Sequence, residues 1–156
     1  MAIPRPRYNS KRKRKTGKFK RGYYEPLTEN GIFVKYVQPS DKTMNSSILP
    51  EYRSSWEKVF MEWCDRSPDV LKWSTESIAI PYLSPKDNKV HRYFPDFFIY
   101  FKDGRKVIVE IKPYNQQNNP INQAKWEQAE KYAKSIGAKF VVVTEKELKS
   151  WGLLKK

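Results

Sequence analysis

The residues best suited to chemistry lie in Tyr93-Phe94-Pro95-Asp96-Phe97-Phe98 and in Val109-Glu110-Ile111-Lys112. Side chains of a strand alternate between faces, so Glu110 and Lys112 share one face while Ile111 takes the other. A carboxylate and an ammonium then stand side by side on a sheet, with Asp96 as a third member. The two runs flank Lys102-Asp103-Gly104, a turn signal. A two-residue loop would set Phe101 opposite Lys106 and mix charge into the apolar face. A three-residue loop with Gly104 left-handed instead sets Ile99 against Val107, Phe97 against Val109 and Pro95 against Ile111. One face becomes almost wholly apolar, and Asp96 falls opposite Glu110, where paired Cβ atoms stand about 4.5–5.5 Å apart. Two carboxylates that close repel each other unless a cation sits between them.

Glu57 is the candidate third acid. Residues 51–65 read as a helix, with Tyr52, Trp56, Val59, Phe60, Trp63 and Cys64 at helical spacing. Glu57 lies at the margin of that stripe and can lean toward the sheet. The alternative is a solvated helix-edge acid paired with Arg53 or Lys58, and spacing alone does not decide between them.

Carboxylate and carbonyl oxygens suit magnesium or manganese. Asp96, Glu110 and the backbone carbonyl of Ile111 would hold the ion, with Glu57 beside it. Lys112 would hold the attacking water or balance charge on the phosphate oxygens. This is the chemistry of phosphodiester hydrolysis. One histidine, His91, and one cysteine, Cys64, argue against a zinc finger or a two-histidine metal centre. Without a Gly-x-x-x-x-Gly-Lys loop, no nucleotide cofactor is expected. Cys64 reads as core, and a lone cysteine fits a reducing compartment.

Charge names the partner. The net charge of +14 and pI near 9.8 call for a polyanion. Residues 1–24 carry ten Lys or Arg and no acid, whereas the rest of the chain is only +4. Lys11, Arg12, Lys13, Arg14, Lys15, Lys18, Lys20 and Arg21 are therefore expected to contact phosphates from a disordered basic tail, residues 1–24. Residues 25–156 form the expected catalytic domain. No signal peptide or membrane span is expected, and the tail has no apolar anchor for a membrane.

The elements that must position these groups follow from periodicity. Strands are expected over 31–37 and 77–82, a polar turn over 84–89, and the hairpin over 92–111, ended by Pro113. A helix over 119–136, a buried strand over 139–143 and a short helix over 145–151 complete the chain. The order α-β-β-β-α-β describes an α/β fold with a mixed sheet flanked by helices. Lys125 and Gln128 fall within the apolar sector of the second helix. There Lys125 either faces DNA or snorkels at the helix margin.

The order Glu57, Pro95-Asp96, Glu110-Ile111-Lys112, helix, strand resembles the PD-(D/E)xK nuclease superfamily. Arg53-Ser54-Ser55-Trp56-Glu57 resembles the first-helix glutamate motif of TnsA endonucleases and phage junction resolvases. The whole chain, with its basic start, is similar to the head completion nucleases of large contractile-tailed bacteriophages. The resemblance implies a restriction-endonuclease-like core with Asp96, Glu110 and Lys112 catalytic and Glu57 a further acid. It also implies double-stranded DNA of a packaged genome as substrate and phage head or neck proteins as partners. The place of action would be the virion or the host cytoplasm during assembly. Two alternatives stand beside it, a structural DNA-binding neck protein with a vestigial site and a junction-specific resolvase. The intact acid–acid–lysine set argues against the first, and the lack of a self-complementary stripe against the second.

Overall fold

The computed structural model describes residues 21–38 and 49–155. Lys11, Arg12, Lys13, Arg14, Lys15, Lys18 and Lys20 lie outside the described residues. In chain order the strands before the first helix are β1 (Gly22–Tyr23), β2 (Thr28–Glu29), β3 (Ile32–Phe33) and β4 (Glu51–Tyr52). Helix α1 (Ser55–Arg66) is followed by β5 (Val70–Thr75), β6 (Ile80–Leu83), β7 (Val90–Tyr93), β8 (Phe97–Phe101) and β9 (Lys106–Ile111). Helix α2 (Pro120–Ser135), β10 (Lys139–Val143) and α3 (Glu145–Ser150) close the chain.

The main sheet runs in the order β10-β9-β8-β5, with β10 parallel to β9 and the other pairs antiparallel. It is a mixed sheet flanked by helices, as the periodicity predicts. The β8–β9 register is the expected one, with Phe97 opposite Val109 and Ile99 opposite Val107. Its turn closes through Phe101 N–H donating to the Arg105 carbonyl at 2.9 Å. Gly104 has φ +94, a conformation that disfavours any side chain. The ladder nevertheless stops at Phe97. Pro95 lacks an N–H, so it cannot extend the pairing to Ile111.

Phe97, Ile99, Val109 and Ile111 form the sheet face that packs on Phe60, Met61 and Cys64 of α1, around the wholly buried Trp73 of β5. A second cluster, Ile80, Tyr82, Tyr93 and Ala129, joins the β6–β7 hairpin to α2. Val143 of β10 joins the first cluster and Phe140 packs on the second, so the main sheet is covered on both faces.

Several expectations shift. The first helix begins at Ser55, because Ser54 is its N-cap and Glu51–Tyr52 pairs with Gly22–Tyr23. The domain thus starts before residue 25. Tyr24 is buried and its hydroxyl donates to Asp65 at 2.7 Å, so the end of the expected tail belongs to the folded body. The strand expected over 31–37 is a short β2–β3 hairpin turned at Asn30-Gly31, with φ of 55 and 77. Arg92 and Tyr93 pair with β6 rather than β9. Between α1 and α2 there are five strands, not three. The run 139–143 is an edge strand with Val141 exposed, since an apolar run reads alike whether one face or both are covered. Among the described residues no helix is long and apolar enough to cross a membrane.

Candidate active site

Asp96, Glu110, Ile111, Lys112, Glu57 and Lys125 line one cleft of about 290 Å³, together with Arg53, Glu76, Arg92, Tyr93 and Phe94. Each arrives by a local rule. Asp96 follows Pro95, and its Oδ2 accepts from Ile111 N–H at 2.8 Å, replacing the backbone partner that the proline ended. Its carboxylate is thereby tied to β9 beside Glu110. Glu110 and Lys112 share a face by alternation, and Lys112 Nζ stands 3.7 Å from Glu110 Oε2. The Lys112 N–H donates to the Val143 carbonyl at 3.0 Å, fixing the end of β9 against β10.

The acids are crowded. Burial, then the charges of Glu110 and Glu57, hold the Asp96 carboxyl well above its usual range. Burial likewise raises Glu110, against the pull of Lys112 and of Tyr93, whose hydroxyl donates to Glu110 Oε1 at 2.7 Å. Glu57 is pushed up to about 7 by burial, with the Glu110 charge adding to it. Among the described residues no group of three or more His, Cys, Asp or Glu closes into a metal-binding cluster on its own. The possible oxygen donors on the cleft wall are the carboxylates of Asp96, Glu110 and Glu57, with Ile111 beside them.

Glu57 serves the helix as well as the cleft. Its N–H donates to Ser54 Oγ at 3.2 Å, and its Oε1 accepts from Arg53 N–H at 3.0 Å. That reciprocal bonding satisfies helix-start donors. The guanidinium of Arg53 pairs with Glu76, at 2.6 Å. Burial opposes the charge of Arg53, yet Glu76 and Glu57 outweigh it and raise its pKa.

Lys125 reaches the cleft from α2 with Nζ 5.5 Å from the Tyr93 ring centre and 5.8 Å from that of Tyr82. Burial and the Lys112 charge lower its pKa, as expected of a lysine drawn inward rather than snorkelling out. Arg21, expected on phosphate, pairs with Glu51 at 2.9 Å in this structure.

Sequence reasoning missed Tyr93, Glu76 and Arg92. Tyr93 carried a signal, since an aromatic at that place on a strand packs inward and needs a partner for its hydroxyl. Glu76 carried none. It holds a left-handed φ of 46, and its N–H donates to the Asp96 carbonyl at 3.2 Å, buttressing the strand that bears the acid.

A mixed four-stranded sheet with this acid–acid–lysine set at one end defines a restriction-endonuclease-like core. The TnsA-like endonuclease N-terminal family profile matches residues 67–145, which include Asp96, Glu110 and Lys112 but not Glu57. The chain is also 32% identical over 123 residues to the head completion nuclease of Enterobacteria phage T4, covering 65% of this chain and 82% of that protein. The chain belongs to this family of TnsA-like and head completion nucleases.

Proposed function

We propose that the chain is a metal-dependent deoxyribonuclease with Asp96, Glu110 and Lys112 as its catalytic set. The observation that carries this reading is a crowded pair of carboxylates, both raised in pKa by burial and Asp96 further by the charge of Glu110, with one ammonium nearby. Hard oxygen donors without histidine or thiol fit magnesium or manganese. Asp96, Glu110 and the Ile111 carbonyl would hold the ion, with Glu57 beside it. Such an ion, when bound, polarises the phosphate and lowers the pKa of a bound water.

The chain's own groups do the rest. Tyr93 fixes the rotamer of Glu110 through its hydroxyl. The Asp96 carboxylate is held in register by Ile111 N–H, and its backbone by Glu76. Lys112 donates toward the phosphate oxygens as negative charge builds on them. Lys125 adds a second cation on the α2 side. Lys11, Arg12, Lys13, Arg14, Lys15, Lys18 and Lys20 contribute phosphate contacts without sequence preference, residues 1–20 acting as a DNA-binding tail to the nuclease domain.

The relative's name places that protein in phage head completion. By that likeness this chain processes packaged double-stranded DNA before head–tail joining, in contact with head or neck proteins, in the virion or host cytoplasm. The test is supercoiled-plasmid cleavage with magnesium, manganese or EDTA, wild type beside Asp96→Asn. Cleavage should need the divalent ion and fall by about 10²-fold or more in the variant. Near wild-type cleavage by Asp96→Asn would overturn the assignment and favour a structural DNA-binding role.

A further inference from the structure

The β6–β7 hairpin buries Ile80, Tyr82 and Tyr93 against α2 and leaves its other face open. On that face Leu83 pairs with Val90, and the two are 57% and 69% exposed. The open side leads to Phe94, a phenyl ring 42% exposed at the wall of the cleft. The Arg92 guanidinium stands over that ring, 5.4 Å from its centre. Around it the cleft presents mainly charged groups, while Tyr93 and Ile111 are buried.

We propose that Phe94, backed by Arg92, is a stacking platform for an unpaired nucleobase next to the scissile phosphate, so that the enzyme favours DNA whose pairing is broken at the cut. The proposal rests on the nuclease reading above and adds a substrate class to it. A base inside a duplex offers no free face, because its neighbours cover both sides. Only a flipped or unpaired nucleotide can lay its ring on an aromatic side chain. The arginine suits such a ligand twice, as a cation over an aromatic ring and as a partner for the adjoining phosphate. One residue, Pro95, separates Phe94 from Asp96, so their Cα atoms lie at most about 7 Å apart. Both residues line the same cleft, so the platform borders the acid's site.

The experiment uses the full chain and two duplexes of one sequence, one fully paired and one with a short mismatched bubble containing 2-aminopurine. With magnesium, kcat/KM should be about tenfold higher on the bubble, equal to about 1.4 kcal/mol, within the range of one base–aromatic stack. Phe94→Ala should bring that ratio close to one, and Phe94→Trp should keep it. In EDTA, the 2-aminopurine fluorescence should be quenched on binding to wild type and to Phe94→Trp, but not to Phe94→Ala. Equal rates on the two duplexes for wild type, or a preference and quench that survive Phe94→Ala, would overturn the platform. If neither duplex is cut, the nuclease reading fails and the quench alone decides the platform. Far-ultraviolet circular dichroism of the variants checks the fold, which an exposed ring on the cleft wall should not disturb.

Discussion

Asp65 and Asp96 are both acids set among aromatic side chains, yet they live in opposite circumstances. Asp65, at the end of α1, accepts from the Tyr24 hydroxyl at 2.7 Å, Trp73 Nε1 at 2.9 Å and Leu27 N–H at 3.0 Å. Three donors from three segments converge on it, and it ties the residues before β2 to the sheet and to α1. Asp96 accepts from Ile111 N–H and faces Glu110 and Glu57. The first acid has a full complement of donors and the second has a surplus of negative neighbours. Donor count, more than burial, separates an acid that holds the fold from one that is held by it for use.

Substitution should split the pair most sharply in stability. Asp65→Ala leaves the Tyr24 hydroxyl and the Trp73 indole N–H without their acceptor, at a cost of about 3 kcal/mol or more. Asp96→Asn should leave stability unchanged or raise it by about 1 kcal/mol, because it removes repulsion with Glu110 and Glu57. Urea denaturation in EDTA reads both, and a loss in Asp96→Asn as large as that in Asp65→Ala would collapse the distinction.

The pH dependence of stability sharpens it further. Glu57 keeps its proton to about pH 7 in the native state, against the usual 4.5 of a glutamate. Between those values the native state binds more protons than the unfolded chain, so metal-free stability should fall as pH rises from about 4.5 to 7. Below that window Glu57 contributes no pH dependence. The fall attributable to it is up to about 3 kcal/mol, and Glu57→Gln should remove that part of the slope. A stability profile identical in wild type and Glu57→Gln would mean that burial does not hold the proton on Glu57.

Strands β8 and β9 were legible in the sequence, and the reasons are physical. The Gly104 turn and the alternation of Phe97, Ile99, Val107 and Val109 permit one register that buries a clean face. Strand β5 was not legible. Its buried residues, Val70 and Trp73, are three apart because a bulge lies between Val70 and Lys72, and this breaks the two-residue period. The first strand and turn of the β6–β7 hairpin were legible, but Arg92 and Tyr93 were assigned to the next hairpin, because only Pro95 marks where one ends and the other begins. Spacing alone puts Asp96, Glu110 and Lys112 together, and all three line one cleft with Glu57, whose place spacing leaves open. Glu76 was not legible, since nothing in its residue type announces a left-handed backbone.

That backbone gives the smallest test. At φ 46 a glutamate costs about 1 kcal/mol relative to glycine, while its half-exposed bridge to Arg53 offsets little. Glu76→Gly should therefore melt higher than Glu76→Ala, which loses the same bridge and keeps the strain. Equal melting temperatures would place no strain at this corner.

The central claim is that the crowded acids are a cation site and Asp65 is not. Its most direct measurement is the rise in melting temperature on adding saturating magnesium at neutral pH, for wild type and Asp96→Asn. Binding to the native state alone should raise wild type by about 3 °C or more and leave Asp96→Asn unmoved. An equal rise in both proteins would contradict the account.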